Sequence, residues 1–233
     1  MDELTAILYR ISMAFAPQLW IAEMLFAHTD IRRKYFWLRA VAFGLLFSVL
    51  PELLPNTYFC PWLTVAGWIR LSYPLLFLLS LLGLFFCCKA PFLDLLFIAT
   101  ASYALQNGAF SLTEFVRLNL DVPIAAALMT MAMMAVCYAL FYPLAIRNLH
   151  RYGSVGFHGL PLLAFSLLTL AVAYLVNMYM QAFERASISA RVFNTIADML
   201  LLVCLFDLFH VTRIRRDADV TEQLLKLSEQ ELD

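Results

Sequence analysis

The chain has 233 residues, of which 63% are hydrophobic and 14% charged, where an ordinary soluble domain carries about 25% charged residues. A mean hydropathy of +0.80, with 20 Phe, 10 Tyr and 4 Trp, describes more apolar surface than a globule of this size can hide, which excludes an ordinary soluble domain. The formal net charge of -1 leaves no electrostatic footprint for nucleic acid, so no nucleic-acid partner is expected and the cations matter by their positions.

The chain opens on Met1-Asp2-Glu3, with no basic region before the first apolar stretch and no small-residue cleavage site behind it. That pattern is not a cleaved signal peptide, and the first apolar segment is expected to be retained. Cys60, Cys87, Cys88, Cys137 and Cys204 contain no C-x-x-C pair and read as small helix residues. Cys87 and Cys88 beside Lys89 also offer an acylation reading, which ranks below simple packing.

Taken in order, seven apolar segments of about 20 residues emerge: 4 to 27, 36 to 54, 68 to 88, 91 to 112, 123 to 146, 158 to 182 and 189 to 210. Proline, glycine or charge marks most connections, including Pro51 to Pro61, Lys89-Ala90-Pro91, and Glu114 to Pro123. The expected fold is all-α: a polytopic membrane protein with a seven-transmembrane-helix bundle over 1–212. A cytoplasmic C-terminal helix begins at 213 and runs on through 233.

Arg32, Arg33, Lys34, Arg39, Lys89, Arg147, Arg151, Arg213, Arg215 and Arg216 fall on one side of this alternation, and Arg70, Arg117, Arg185 and Arg191 on the other. The positive-inside rule then predicts a multi-pass cell-membrane protein with an external N-terminus and a cytoplasmic C-terminus. Trp20, Trp37, Trp62 and Trp68 read mostly as interfacial anchors. No internal repeat is apparent, which weighs against the inverted duplication common in secondary transporters.

Polar groups inside apolar segments are costly and mark candidate sites. Glu23 and Arg39, on adjacent segments joined by a short turn, are expected to form a structural ion pair. Arg10, Gln106, Asn107 and Asn177 all fall roughly 10 Å below the external surface at about 1.5 Å rise per residue. Asp198 is expected somewhat deeper, within reach of an Arg side chain. This layer reads either as a ligand pocket, with Asn119, Gln181, Glu184 and Arg185 at its mouth, or as interhelical hydrogen bonding that holds the bundle. Asp207 is read as structural, facing His210 or the basic cluster.

Enzymatic constellations are missing. The sequence has no H-E-x-x-H and no G-x-S-x-G; its seven glycines build no phosphate loop, and His28, His150, His158 and His210 fall at segment ends. No catalytic residue, metal or cofactor is expected. Beyond the basic cluster, Val220, Leu224 and Leu227 recur at steps of four and three, the seam of a short coiled coil. Arg213, Val220, Leu224 and Leu227 are therefore the expected signal-transmitting residues, and a homodimer through this helix is the expected assembly.

Gln18-Leu-Trp-Ile-Ala-Glu-Met-Leu-Phe26, Arg32-Arg-Lys-Tyr-Phe-Trp-Leu-Arg39 and Tyr103-Ala-Leu-Gln-Asn107 resemble the membrane region of GHKL-type sensor histidine kinases of Gram-positive bacteria. That group is similar to the accessory gene regulator peptide-pheromone receptors. The resemblance covers the whole chain and implies a sensor module that passes an external signal, a peptide or small molecule, through the last helix to a cytoplasmic output. None of the four histidines has the phosphoacceptor context and the ATPase boxes are absent, so the chain itself phosphorylates nothing. A response regulator would be reached only through the missing kinase. The expectation is a sensor fragment, or else a receptor whose output another polypeptide supplies. A small integral-membrane transporter or permease is the alternative, and a passive membrane scaffold a third reading.

Overall fold

The structure, a computed structural model, describes residues 15–27, 31–53, 65–119, 123–141, 160–182 and 188–230. Over these residues it is all-α, with seven helices: α1 (Phe15–Phe26), α2 (Phe36–Leu53), α3 (Val65–Cys87), α4 (Phe92–Asn119), α5 (Pro123–Phe141), α6 (Leu160–Ala182) and α7 (Ile188–Gln230). The apolar segments of the sequence thus become helices, because their runs are rich in Leu, Ala and Met, which carry good helix propensity, and their ends carry the breakers. Two boundaries differ. α4 continues through Glu114 and Arg117 to Asn119 instead of ending in a loop at Glu114, and α7 passes without interruption across Arg213. Glu and Arg have helix propensities close to that of Leu, so their presence ends a hydrophobic pattern without ending a helix.

α4 is the hub. It packs against α1, α3, α5, α6 and α7, its most extensive interface being with α7. From Asp94 to Ala109 every residue of α4 is buried, and the sequence there is rich in Ala, Ser, Thr and Gly, whose small side chains let neighbouring backbones approach closely. Gly108 shows the limit of that approach: a Cβ added there would lie 2.6 Å from Met199 Cε and 3.2 Å from Asp198 Cβ of α7. Gly83 of α3 meets the Phe43 ring of α2 in the same way.

Among the described residues no helix is long and apolar enough to cross a membrane. The distribution of side chains over the assembled bundle is a separate observation. Gln18, Glu23, Ser80, Asp94, Gln106, Asn107, Asn194 and Asp198 are buried, while Leu45, Leu82, Leu128, Leu175, Phe193 and Leu200 are exposed, each on an outward face of its helix.

The connection between α1 and α2 is tied to the end of α3. Arg32 and Cys88 form an isolated antiparallel bridge, in which Arg33 N–H donates to Cys87 O at 3.0 Å and Lys89 N–H to Ile31 O. Tyr35 completes the turn with φ of 61°, the left-handed region that a bulky residue seldom occupies. Both Cys87 and Cys88 are buried in this junction, in keeping with their reading as packing residues and against acylation of either thiol.

Candidate functional site

α4 and α7 run antiparallel and share a polar seam. On α4, Asn107 and Ser111 are one turn apart; on α7, Asn194 and Asp198 are likewise, and residues at i and i+4 lie on one face. The two pairs meet in register. Asn107 Nδ2 donates to Asp198 Oδ2 at 2.7 Å, and Asn194 Nδ2 donates to Ser111 Oγ. Between them Thr195 Oγ1 donates to the carbonyl of Gly108 at 3.2 Å, a contact the missing Cβ permits. All four side chains of the two pairs are buried.

The seam extends to α1 and α5. Gln106 Nε2 donates to Gln18 Oε1 at 3.2 Å, and the Tyr138 hydroxyl donates to the Gln18 carbonyl, also at 3.2 Å. Burial makes such bonds obligatory, since an amide or carboxyl without a partner in apolar surroundings loses its solvation outright. Even so, Gln106 Oε1, Asn194 Oδ1, Thr100 Oγ1 and Ser102 Oγ have no hydrogen-bond partner among the described residues. The layer is polar beyond what its own bonds use.

Glu23 and Arg39 do not form the expected ion pair. Glu23 Oε1 instead accepts from Ser80 Oγ of α3 at 2.7 Å, and Arg39 donates to the Phe86 carbonyl at 2.9 Å with its guanidinium 4.9 Å from the Phe86 ring centroid. The physical reason is the C-terminus of α3. Its last carbonyls lack helical partners and carry the negative end of the helix dipole, so they draw Arg39 and also Arg33, whose Nε donates to Cys88 O at 2.7 Å. Glu23 is fully buried on another side of α3, and its Oε2 has no hydrogen-bond partner among the described residues.

Of the other expected site residues, Arg10 lies outside the described residues, as do Glu184 and Arg185. Asn177 and Gln181 belong to α6, Asn119 to α4 and Arg213 to α7, with their side chains outside the described set. Asp198, expected deeper than Asn107 and near an Arg, shares the level of Asn107 and bonds to it directly. Asp207 and His210 are both exposed. Trp20 departs from the interfacial-anchor reading: it is buried, and its indole N–H donates to Ala40 O at 2.9 Å.

Gln18, Ser80, Ser111, Asn194 and Thr195 were not foreseen as site residues. For Ser111 and Asn194 a signal existed, because each stands one turn from a polar residue already singled out and so on the same face. Ser80 offered none. Among the described residues no three His, Cys, Asp or Glu side chains converge as a metal-holding set. Chemically, the seam can hold helices in a defined rotation, or accept a polar ligand in place of one of its bonds. No protein-family model, curated protein or solved structure matches the chain.

Proposed function

We propose that this chain is a multi-pass membrane sensor in which α7 carries a change at the Asn107–Asp198 layer to a cytoplasmic output. The observation that carries the reading is the continuity of α7. Its first half holds Asn194 and Asp198 against α4, and the same helix runs on to Gln230. At about 1.5 Å per residue its 43 residues make a rod of about 65 Å. Val220, Leu224 and Leu227 are 47, 61 and 57% exposed along its far end. A ligand that favours one arrangement of the seam would shift the population of α7 rotations, and the exposed leucines would present that shift to a second copy or an output domain.

Membrane embedding is supported by the many large apolar side chains that face outward while several amides and carboxyls lie within an otherwise apolar core. Buried amides and carboxyls with outward-facing Leu, Val, Phe and Met suit a lipid solvent, in which helices associate through small residues and hydrogen bonds rather than by hiding apolar surface. In this reading the N-terminus is external and the basic 32–39 turn, with Lys89, faces the cytoplasm. The likeness of Gln18–Phe26, Arg32–Arg39 and Tyr103–Asn107 to GHKL-type kinase sensors is the ground for assigning two-component signalling as the class. An external peptide is the ligand that likeness suggests.

The test is disulfide trapping in the full chain, reconstituted in a bilayer, with Leu224→Cys and Leu227→Cys introduced singly on a Cys204→Ser background. Under the sensor reading, Asn107→Leu changes which of the two positions cross-links between copies. An unchanged cross-linking pattern removes the lever. The permease alternative draws support from the unpartnered oxygens of Gln106 and Asn194, and predicts solute flux across proteoliposomes without any cytoplasmic domain.

A further inference from the structure

An open apolar groove of about 480 Å³ runs between α1 and α2, within the ~300–1,000 Å³ usual for ligand sites. Trp20, Ile21, Trp37, Val41, Gly44 and Leu45 form most of it. Its floor is built by Gly44, where an added Cβ would come within 2.8 Å of the Trp20 indole, and by the Trp20 bond to Ala40 O. The one hydroxyl in the lining, Ser48, is turned away to the Gly44 carbonyl at 2.7 Å. Along α2 the groove extends from Trp37 to Ser48, which is about 16 Å at the helical rise. One leaflet of a bilayer has about 15 Å of hydrocarbon, half of the ~30 Å core.

The two ends of the groove differ in charge. At the Trp37 end stands the turn that the Arg32–Cys88 bridge fastens to α3. Arg32 lies 5.2 Å from the Trp37 ring centroid and 4.7 Å from that of Phe36, held there by donating to Ala27 O through Nε and Nη2. Arg33, Lys34 and Lys89 are exposed beside it. Among the described residues Lys226 pairs with Glu222 on the far end of α7, away from this turn. The left-handed Tyr35 is the strained residue that turns the basic stretch outward.

An apolar channel one leaflet long, with a basic rim at its cytoplasmic end, is complementary to one kind of molecule. We infer that the α1–α2 groove holds an acyl chain of an anionic phospholipid of the cytoplasmic leaflet, its phosphate headgroup at Arg33, Lys34 and Lys89. Juxtamembrane basic residues attract acidic headgroups in this way, and the groove adds a place for the chain that a bare polybasic patch lacks. The site rests on the membrane reading proposed above.

The probe is tryptophan quenching in the full-length chain carrying Trp62→Phe and Trp68→Phe, so that emission comes from Trp20 and Trp37 at the groove. The protein is reconstituted in zwitterionic phosphatidylcholine doped with a small, equal fraction of brominated phosphatidylcholine or brominated phosphatidylglycerol. The expected result is stronger quenching by the anionic lipid, with Lys34→Gln and Lys89→Gln each lowering the preference by roughly fivefold. Equal quenching by the two lipids overturns the site while leaving the chain in the bilayer. Absence of quenching even in fully brominated phosphatidylcholine overturns the membrane reading, and the site with it.

Discussion

The two halves of α7 obey different rules although no break separates them. From Val192 to Leu202 the helix turns Asn194 and Asp198 inward and Phe193, Ile196 and Leu200 outward; from Ile214 to Leu227 every described side chain is exposed, charged and apolar alike. In the first half the neighbours decide which face a residue takes, and polar groups go inside because partners wait there. In the second half the described side chains are exposed, so local propensity and i,i+4 pairs such as Glu222 with Lys226 help sustain it. Burial of polarity here follows the partner helix, and continuity of the backbone conceals a change of surroundings.

The largest effect should come from closing the α4–α7 approach. Gly108→Leu is expected to cost about 1–3 kcal/mol through overpacking against Met199 and Asp198, read as a lowered midpoint of unfolding in detergent. Ala218→Leu, in the exposed half, should leave that midpoint in place; equal losses would erase the distinction between the halves. Next comes Asn107→Leu, which strips Asp198 of its donor and, under the membrane reading proposed above, should cost about 0.6–1.7 kcal/mol, the average and the maximum for interhelical hydrogen bonds in a bilayer.

Adding Asp198→Leu to that variant should recover most of the loss, because removing both partners leaves no orphaned group. A double variant weaker than Asn107→Leu alone would mean that the carboxyl has a further partner. Thr195→Val should cost less, near 0.6 kcal/mol. The smallest effect belongs to Lys226→Ala, which breaks an exposed pair with Glu222 at 2.7 Å and should change stability by about 0.5 kcal/mol or less. A large loss there would show that the second half is packed against something after all.

Helix positions were readable because long apolar runs have few alternatives, and α2, α3 and α6 begin and end within a few residues of the expected segments. Depth was readable only in part: Gln106 and Asn107 are buried, but Asp198, placed deeper by counting residues, shares the level of Asn107, and Arg10 and the Asn177 side chain lie outside the described residues. Rotation was not readable. Whether Glu23 meets Arg39 or Ser80 depends on the direction each helix presents, and nothing in a nearly uniform apolar sequence sets that angle. The pull of the α3 C-terminal carbonyls on Arg33 and Arg39 was hidden for another reason. It arises from the backbone, which has no letter of its own in the sequence. The pairing of Asn194 with Ser111 lay between these cases, since the one-turn spacing was visible on each helix but the register between helices was not.

The bridge between Arg32 and Cys88 has a practical consequence for anyone modifying this chain. It makes two connections that lie 56 positions apart into a single fastening, so lengthening either the 31–35 turn or the 88–91 segment would displace both at once. Reporter insertions belong elsewhere. The outer reach of α7 between Asp217 and Leu227, where the described side chains are exposed, is where an inserted tag should leave the bundle undisturbed.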